Sequence, residues 1–109
     1  MRRDIDYLQD ILTAISAIER YTLPSSDPLN QNELLTVWYK YHLQLIGESA
    51  SKLSPAFRNS HPQTPWDSII GMRKILIHEH FGINMDEVTA VIKKDLPVLK
   101  LQILEYSEG

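Results

Sequence analysis

Apolar residues recur at intervals of three and four along most of this chain, a spacing that gathers them on one face of an α-helix. The first such stretch carries a stripe of six residues: Ile5, Leu8, Ile11, Leu12, Ile15 and Ile18. We therefore predict a first helix from about Asp4 to Tyr21. The sequence lacks the strict alternation of apolar and polar residues that is typical of β-strands, which favours an all-helical protein.

A second helix is predicted over residues 31–53. Its apolar positions cover a surface broad enough to contact several neighbours: Leu34, Leu35, Trp38, Tyr41, His42, Leu45 and Ile46. Glycine inside a helix is unfavourable by about 1 kcal/mol relative to alanine, so Gly47 indicates a close crossing of two helices. We expect the aromatic residues Trp38, Tyr39 and Tyr41 to pack in the core rather than to stack on nucleic-acid bases.

Capping residues predict the ends of two further helices. Ser54, which is followed by a proline, predicts the start of a short helix that ends near Ser60. Thr64 and Pro65 have the character of a cap and a first helical residue, and Gly82 can close the helix that they begin. We call the helix that starts at Pro65 the motif helix.

A final helix is predicted to begin after Asn84, which can cap it. Its buried face comprises six apolar residues: Val88, Val91, Ile92, Leu96, Leu99 and Ile103. Pro97 lies inside this helix, so we expect a kink there. Together the elements predict one domain over residues 1–109, an antiparallel up-and-down bundle of four main helices plus a short helix.

The composition narrows the class of protein. Hydrophobic residues make up 43% of the chain and charged residues 23%, as in ordinary globular domains, and no apolar run is long enough to span a membrane. Asp4 and Asp6 give the N-terminus an acidic character that signal peptides lack. Cysteine is absent, which excludes disulfides and thiol catalysis and is compatible with a reducing cytoplasm. We therefore expect a cytoplasmic protein without membrane contact.

The formal net charge of −3 argues against a broad surface that coats nucleic acid. Any contact with RNA must be local, and it should weaken as salt is added. The sequence contains no glycine-rich phosphate loop, serine nucleophile motif or zinc-finger spacing. We expect neither a bound metal nor a cofactor.

The motif helix places an arginine and two histidines among apolar residues. Five residues recur on one of its faces: Trp66, Ile70, Arg73, Ile77 and His80. Arg73 and His80 thus interrupt a stripe that would otherwise be buried. The guanidinium of Arg73 is a permanent planar cation suited to phosphate, and His78 can exchange a proton near neutral pH. These two groups can act together on a phosphodiester.

Arg73 and His78 are five residues apart, which separates their directions by roughly 140° around an ideal helix. One helix cannot easily aim both side chains at one phosphate. Either the arginine stem wraps around the helix, or two copies of the helix meet at a two-fold axis and each chain supplements the other. We favour the second arrangement, a homodimer.

Two alternatives need no catalysis by Arg73 and His78. In the first, Arg73 forms an ion pair with Glu48, and His78 is a hydrogen-bonded histidine of the interior. In the second, His78 and His80 bind a metal. Residues two apart on a helix point about 200° apart and cannot easily hold one ion together, so we discount the metal site.

The chain resembles the HepT-like toxins, a bacterial and archaeal branch of the HEPN superfamily. The similarity covers nearly the whole chain and is carried by four segments: residues 3–12, 46–55, 65–84 and 95–99. It is densest in the third segment, which contains the motif helix. The resemblance implies a HEPN-like helical bundle and a metal-independent ribonuclease whose active site is assembled at a homodimer interface.

The family signature consists of Arg, four residues, His, one residue and Tyr. Arg73 and His78 match its first two elements and are implied to be catalytic. Lys74 stands where the family most often has Asn, and His80 stands at the tyrosine position. In the family that tyrosine is modified with AMP by a minimal nucleotidyltransferase antitoxin. The resemblance therefore implies such a partner, while His80 lacks the hydroxyl that is modified.

These observations lead to one hypothesis and one alternative. The hypothesis is an RNase toxin of a toxin-antitoxin system, in which the 2′-hydroxyl of RNA attacks the adjacent phosphorus with help from Arg73 and His78. Lys74 and His80 would be accessory contacts to the RNA. The alternative is a catalytically silent helical module that binds a nucleotidyltransferase or a nucleotide, and the residues at positions 74 and 80 favour it.

Overall fold

The computed structural model describes residues 2–21, 33–78 and 90–108, except the side chains of residues 33, 74, 75, 77 and 78. Within these ranges the chain forms five α-helices and no strand: α1 (Asp4–Glu19), α2 (Glu33–Ser51), α3 (Pro55–Ser60), α4 (Trp66–His78) and α5 (Leu96–Glu108). A π-helical turn, Val91–Asp95, precedes α5. The all-helical prediction of four main helices plus a short one is confirmed.

Helix α1 buries the stripe that its sequence predicts. All six residues at the three-and-four spacing contribute to the core. Four of them are buried, namely Leu8, Ile11, Ile15 and Ile18, and two are packed against these while partly exposed, namely Ile5 and Leu12. The helix packs against α2 and, less extensively, against α5. The indole nitrogen of Trp38 in α2 donates to the carbonyl of Ala17 at 2.8 Å, which adds a directional contact to the apolar one.

Helix α2 packs against both α1 and α4, and its buried residues follow one another at helical spacing: Tyr39, Leu43, Ile46 and Ala50. The prediction that Tyr41 packs in the core is wrong, because this residue is 56% exposed, and Leu34, on the face predicted to contact neighbouring helices, is 87% exposed. Both side chains project beyond the sector of α2 that faces its two neighbours. With Val37, which is 65% exposed, they form what we call the outer stripe of α2.

Ser54 begins α3 as predicted, because its hydroxyl accepts a hydrogen bond from the amide of Phe57 at 3.2 Å. The same residue connects this turn to the start of α1. The backbone amide of Ser54 and its hydroxyl donate to the two carboxylate oxygens of Asp4 at 2.8 and 2.7 Å. The first turn of α1 is therefore fixed to the start of α3 by charge-assisted hydrogen bonds.

The start of α4 differs from the prediction that Thr64 is its cap. The hydroxyl of Thr64 donates to the side-chain carbonyl of Gln102 at 2.9 Å and lies 2.6 Å from the hydroxyl of Tyr106. The carbonyl of Pro65 accepts from the amide of Ile69 at 3.1 Å, so the first helical hydrogen bond starts one residue later. Thr64 links α4 to α5 because it is buried and its nearest polar partners are on α5.

A π-helical turn lies just before Pro97, where the sequence predicts a kink. The amide of Leu96 donates to the carbonyl of Val91, five residues earlier. Proline lacks the amide hydrogen and its ring collides with the carbonyl four residues before it, and a wider turn relieves that collision. Leu96, Leu99 and Ile103 are buried as predicted. The predicted caps Gly82 and Asn84, and the core position of Val88, lie outside the described residues.

The described helices include none that is both long and apolar enough to cross a membrane. They contribute to one continuous cluster of buried side chains, to which α1, α2, α4 and α5 all supply residues.

Tyr39 makes the stability of this core dependent on pH. Its ring is 1% exposed, its hydroxyl donates to the carbonyl of Tyr21, and burial raises the pKa of that hydroxyl. The neutral phenol is therefore favoured in the folded protein. Its contribution to the free energy of unfolding is fully present below the ordinary tyrosine pKa of about 10 and is lost as the pH rises through the raised folded pKa.

We expect Tyr39→Phe to lower the free energy of unfolding by about 1 kcal/mol at neutral pH, because the hydrogen bond to Tyr21 is removed. As the pH rises from neutral to strongly alkaline, the free energy of unfolding should fall less in the variant than in the parent. Urea titrations followed by circular dichroism measure both effects. An identical alkaline decline in the two proteins would show that Tyr39 does not contribute to it.

Candidate functional site

Helix α4 carries the candidate residues and is held against α2 at a crossing with very little space. An added Cβ atom at Gly47 would lie 3.0 Å from the Cβ of Arg73 and 3.0 Å from the backbone oxygen of Ile69. Ordinary contacts of this kind are 3.4 to 4 Å long. The predicted close crossing at Gly47 is confirmed, and on α4 it faces Arg73 and the backbone oxygen of Ile69.

Arg73 is partly buried, and its guanidinium has no ion pair or hydrogen bond with the described part of the chain. Glu48, the acid that could have neutralised it, instead lies 3.3 Å from the amine of Lys52. The expected alternative of an Arg73–Glu48 ion pair is therefore wrong. A local partner one helical turn away occupies the carboxylate, and the arginine is left available for an anion from outside.

The backbone of His78 lies in the last turn of α4, five residues after Arg73. That separation is about 7.5 Å along the helix axis and roughly 140° around it. The side chains of Lys74 and His78 and the whole of His80 lie outside the described part of the structure. The structure thus places Arg73 and His78 on one helix, and the interior role considered for His78 stays untested.

Two other histidines have structural partners. His42 is 8% exposed, its Nδ1 donates to the carbonyl of Trp38 at 2.8 Å, and its ring packs on the Trp38 ring. His61 donates in the same way to the carbonyl of Phe57 at 2.9 Å and packs between Phe57 and Tyr106. Both rings are therefore held by contacts within the fold.

A mainly apolar cavity of about 770 Å³ lies beside α4 and was not foreseen from the sequence. Its walls come from α2, α4, the π-helical turn and α5, with Met72 and Leu76 representing α4. Its described lining includes neither arginine nor histidine, and it includes the carboxylate of Asp95. Arg73 is therefore not among the described residues that line the cavity. Among the residues that the structure describes, no cluster of three or more histidines and carboxylates could hold a metal ion.

Comparison with known proteins identifies relatives along almost the entire chain. A protein from Caldanaerobacter subterraneus named "Putative RNase TTE0752" is 36% identical over 106 residues, which cover 96% of this chain and 95% of that protein. A "Probable ribonuclease HepT" from Thermococcus cleftensis is 34% identical over 97 residues, with 87% of each chain covered. No solved structure was found to match the chain.

A third relative is longer. The Methanocaldococcus jannaschii protein named "Gamma-glutamylcyclotransferase and putative RNase MJ0434" is 36% identical over 110 residues, which cover 99% of this chain. The chain spans 50% of that protein's length. The family model described as "Ribonuclease HepT-like" matches residues 11–106, which include both Arg73 and His78. On this match and these relatives, the chain belongs to the HepT-like ribonuclease family.

Proposed function

We propose that this protein is an endoribonuclease that cleaves RNA without a metal ion, using Arg73 and His78 in a site shared between two copies of the chain. The observation that carries the proposal is the membership of a ribonuclease family together with an arginine at the matching position whose guanidinium is unpaired within the described residues. A partly buried cation of this kind is suited to an anionic ligand.

The reaction needs proton transfer and charge stabilisation from the protein. The 2′-hydroxyl loses its proton and forms a bond to the adjacent phosphorus, while the bond from phosphorus to the 5′-oxygen breaks and that oxygen gains a proton. The products are a 2′,3′-cyclic phosphate and a 5′-hydroxyl. His78 moves the proton, and Arg73 stabilises the charge that collects on the phosphate oxygens; general acid-base catalysis contributes roughly 10²–10⁴-fold.

We favour a homodimer because two residues five apart leave an ideal helix in directions roughly 140° apart. Pairing two helices around a two-fold axis brings Arg73 of one chain toward His78 of the other. Large apolar side chains that remain exposed support self-association: Leu34, Val37 and Tyr41 of the outer stripe of α2, and Val98 and Leu101 of α5. Such surfaces are commonly covered by a partner.

Lys74 and His80 act as accessory contacts to the RNA. The net charge of −3 provides no general attraction to a polyanion, so binding depends on these local groups and weakens with salt.

We also propose that the protein is a toxin that acts in the cytoplasm, where RNA is accessible, and that its antitoxin is a minimal nucleotidyltransferase. His80 has no hydroxyl to accept AMP, so the antitoxin neutralises the toxin by forming a complex with it or by modifying another residue.

A catalytically silent module that binds a nucleotidyltransferase or a nucleotide is the second candidate. The specific observation that favours it is the pair of departures at Lys74 and His80 from the family signature. In that case Arg73 binds phosphate without cleaving it. The two candidates differ in whether RNA is degraded in proportion to the amount of protein.

The first expectation is ribonuclease activity that resists excess chelator and leaves a 2′,3′-cyclic phosphate, identified by mass spectrometry of the products. Arg73→Ala should lower kcat roughly 10²–10³-fold because charge on the phosphate is no longer stabilised. His78→Ala should lower it roughly 10²–10⁴-fold because proton transfer is lost.

Arg20→Ala is the matched control, since it removes an exposed arginine at the end of α1 and should leave kcat unchanged. Circular dichroism must show that all variants are folded. Unchanged cleavage by both Arg73→Ala and His78→Ala would identify a contaminating nuclease and support the silent module.

The second expectation concerns assembly. Light scattering at micromolar concentration should give the mass of a dimer, twice the 12.6 kDa of one chain. A Tyr41→Lys substitution on the outer stripe of α2 tests whether exposed apolar surface takes part. A parent protein that remains a monomer while cleaving RNA would contradict a shared site.

The third expectation concerns regulation by the partner. When the parent and His80→Tyr are incubated with the cognate nucleotidyltransferase and ATP, the intact mass should increase by one AMP in His80→Tyr alone, because only tyrosine supplies a phenolic hydroxyl. Equal modification of both proteins, mapped to another residue, would show that position 80 is not the required acceptor.

A further inference from the structure

The contact between Gly47 and α4 falls at the residue that carries the candidate cation. The three atoms nearest to an added Cβ at Gly47 are the Cβ of Arg73 at 3.0 Å, the oxygen of Ile69 at 3.0 Å and the amide nitrogen of Arg73 at 3.4 Å. Two are backbone atoms and the third is the first atom of the arginine side chain. No rotation about a side-chain bond can move any of them away.

The surroundings leave α2 little freedom to retreat from α4. Ile46 and Ala50 are both 0% exposed and pack in the same core as α1. Protein interiors are close-packed, so a displacement of α2 toward α1 is resisted by those contacts. A methyl group at position 47 must therefore shift α4 by a few tenths of an ångström at the turn that contains Ile69 and Arg73.

We propose that Gly47 is a positioning residue for the reaction, because its lack of a side chain sets where the backbone of Arg73 lies and hence where the guanidinium can reach. This inference rests on the proposed ribonuclease function. A small rotation at the Cβ atom is magnified at the end of the long arginine side chain. The planar guanidinium binds phosphate oxygens through directional hydrogen bonds, so misalignment weakens charge stabilisation in the transition state.

The experiment compares Gly47→Ala with Gly71→Ala. Gly71 lies on α4, two residues before Arg73, and an added Cβ there would have no atom of the described residues within 4 Å. Both changes exchange glycine for alanine in a helix, where alanine is favoured. We expect Gly47→Ala to lower kcat roughly threefold to tenfold, with KM changed less than about twofold, and Gly71→Ala to leave both constants unchanged.

Ala50→Gly separates an effect on the site from a loss of stability. It removes a buried methyl group and weakens the helical propensity of α2, yet it leaves the contact between Gly47 and Arg73 unaltered. Thermal melting should show that Ala50→Gly is less stable than the parent, while its kcat at a temperature where it is folded should equal that of the parent.

A double-mutant cycle with Arg73→Ala gives the readout that a purely structural role would not change. Alanine at position 73 keeps the Cβ atom, so the crowding by a methyl group at position 47 is the same and only the guanidinium is absent. If Gly47 acts through Arg73, Gly47→Ala should lower the rate in the parent background and have no further effect in Arg73→Ala. Single-turnover rates with protein in excess keep the slow variants measurable.

Equal losses from Gly47→Ala in the two backgrounds would overturn the positioning role, and so would a kcat for Gly47→Ala that matches that of Gly71→Ala. A Gly47→Ala chain that stays unfolded at every temperature would also overturn it, since the glycine would then be needed for folding as a whole. A parent protein without ribonuclease activity is a different result, because it removes the proposed function itself.

Discussion

The structure depends on the packing of α2 between α1 and α4. One side of α2 buries Tyr39 and Leu43 in the core, and the backbone at Gly47 touches α4. Burial of apolar surface supplies the main free energy of such a bundle, in amounts of roughly 25 cal/mol per Å². The close crossing adds a geometric constraint to that free energy, since two backbones in contact cannot slide or separate without loss of the surrounding core contacts.

The same constraint connects the fold to the proposed chemistry. Because α4 is fixed against α2 at Arg73, the arginine side chain is attached to a rigid helix rather than to a loop. Sites on rigid elements hold their groups more accurately. Glu48 follows Gly47 in the chain, yet its carboxylate lies beside Lys52. The local ion pair leaves the charge of Arg73 unneutralised within the described residues, as a phosphate-binding group requires.

Sequence spacing predicted those features that depend on residues close together in the chain. The stripe of α1, the cap at Ser54 and the crossing at Gly47 are of this kind. Features that depend on distant partners could not be predicted. Threonine often caps helices, but the hydroxyl of Thr64 instead forms hydrogen bonds with Gln102 and Tyr106 on α5. For α2, which is apolar on most sides, the spacing alone could not show that Tyr41 faces outward.

For the site, the sequence placed Arg73 and His78 on one helix, and the structure confirms that placement for their backbones. The proposal that each active site combines residues of two chains is tested most directly by mixing Arg73→Ala with His78→Ala. In a mixed dimer, one site receives Arg73 from one chain and His78 from the other, so co-refolded chains should regain about one quarter of the parental activity. No recovery, with mixed dimers shown to form, would contradict the shared site.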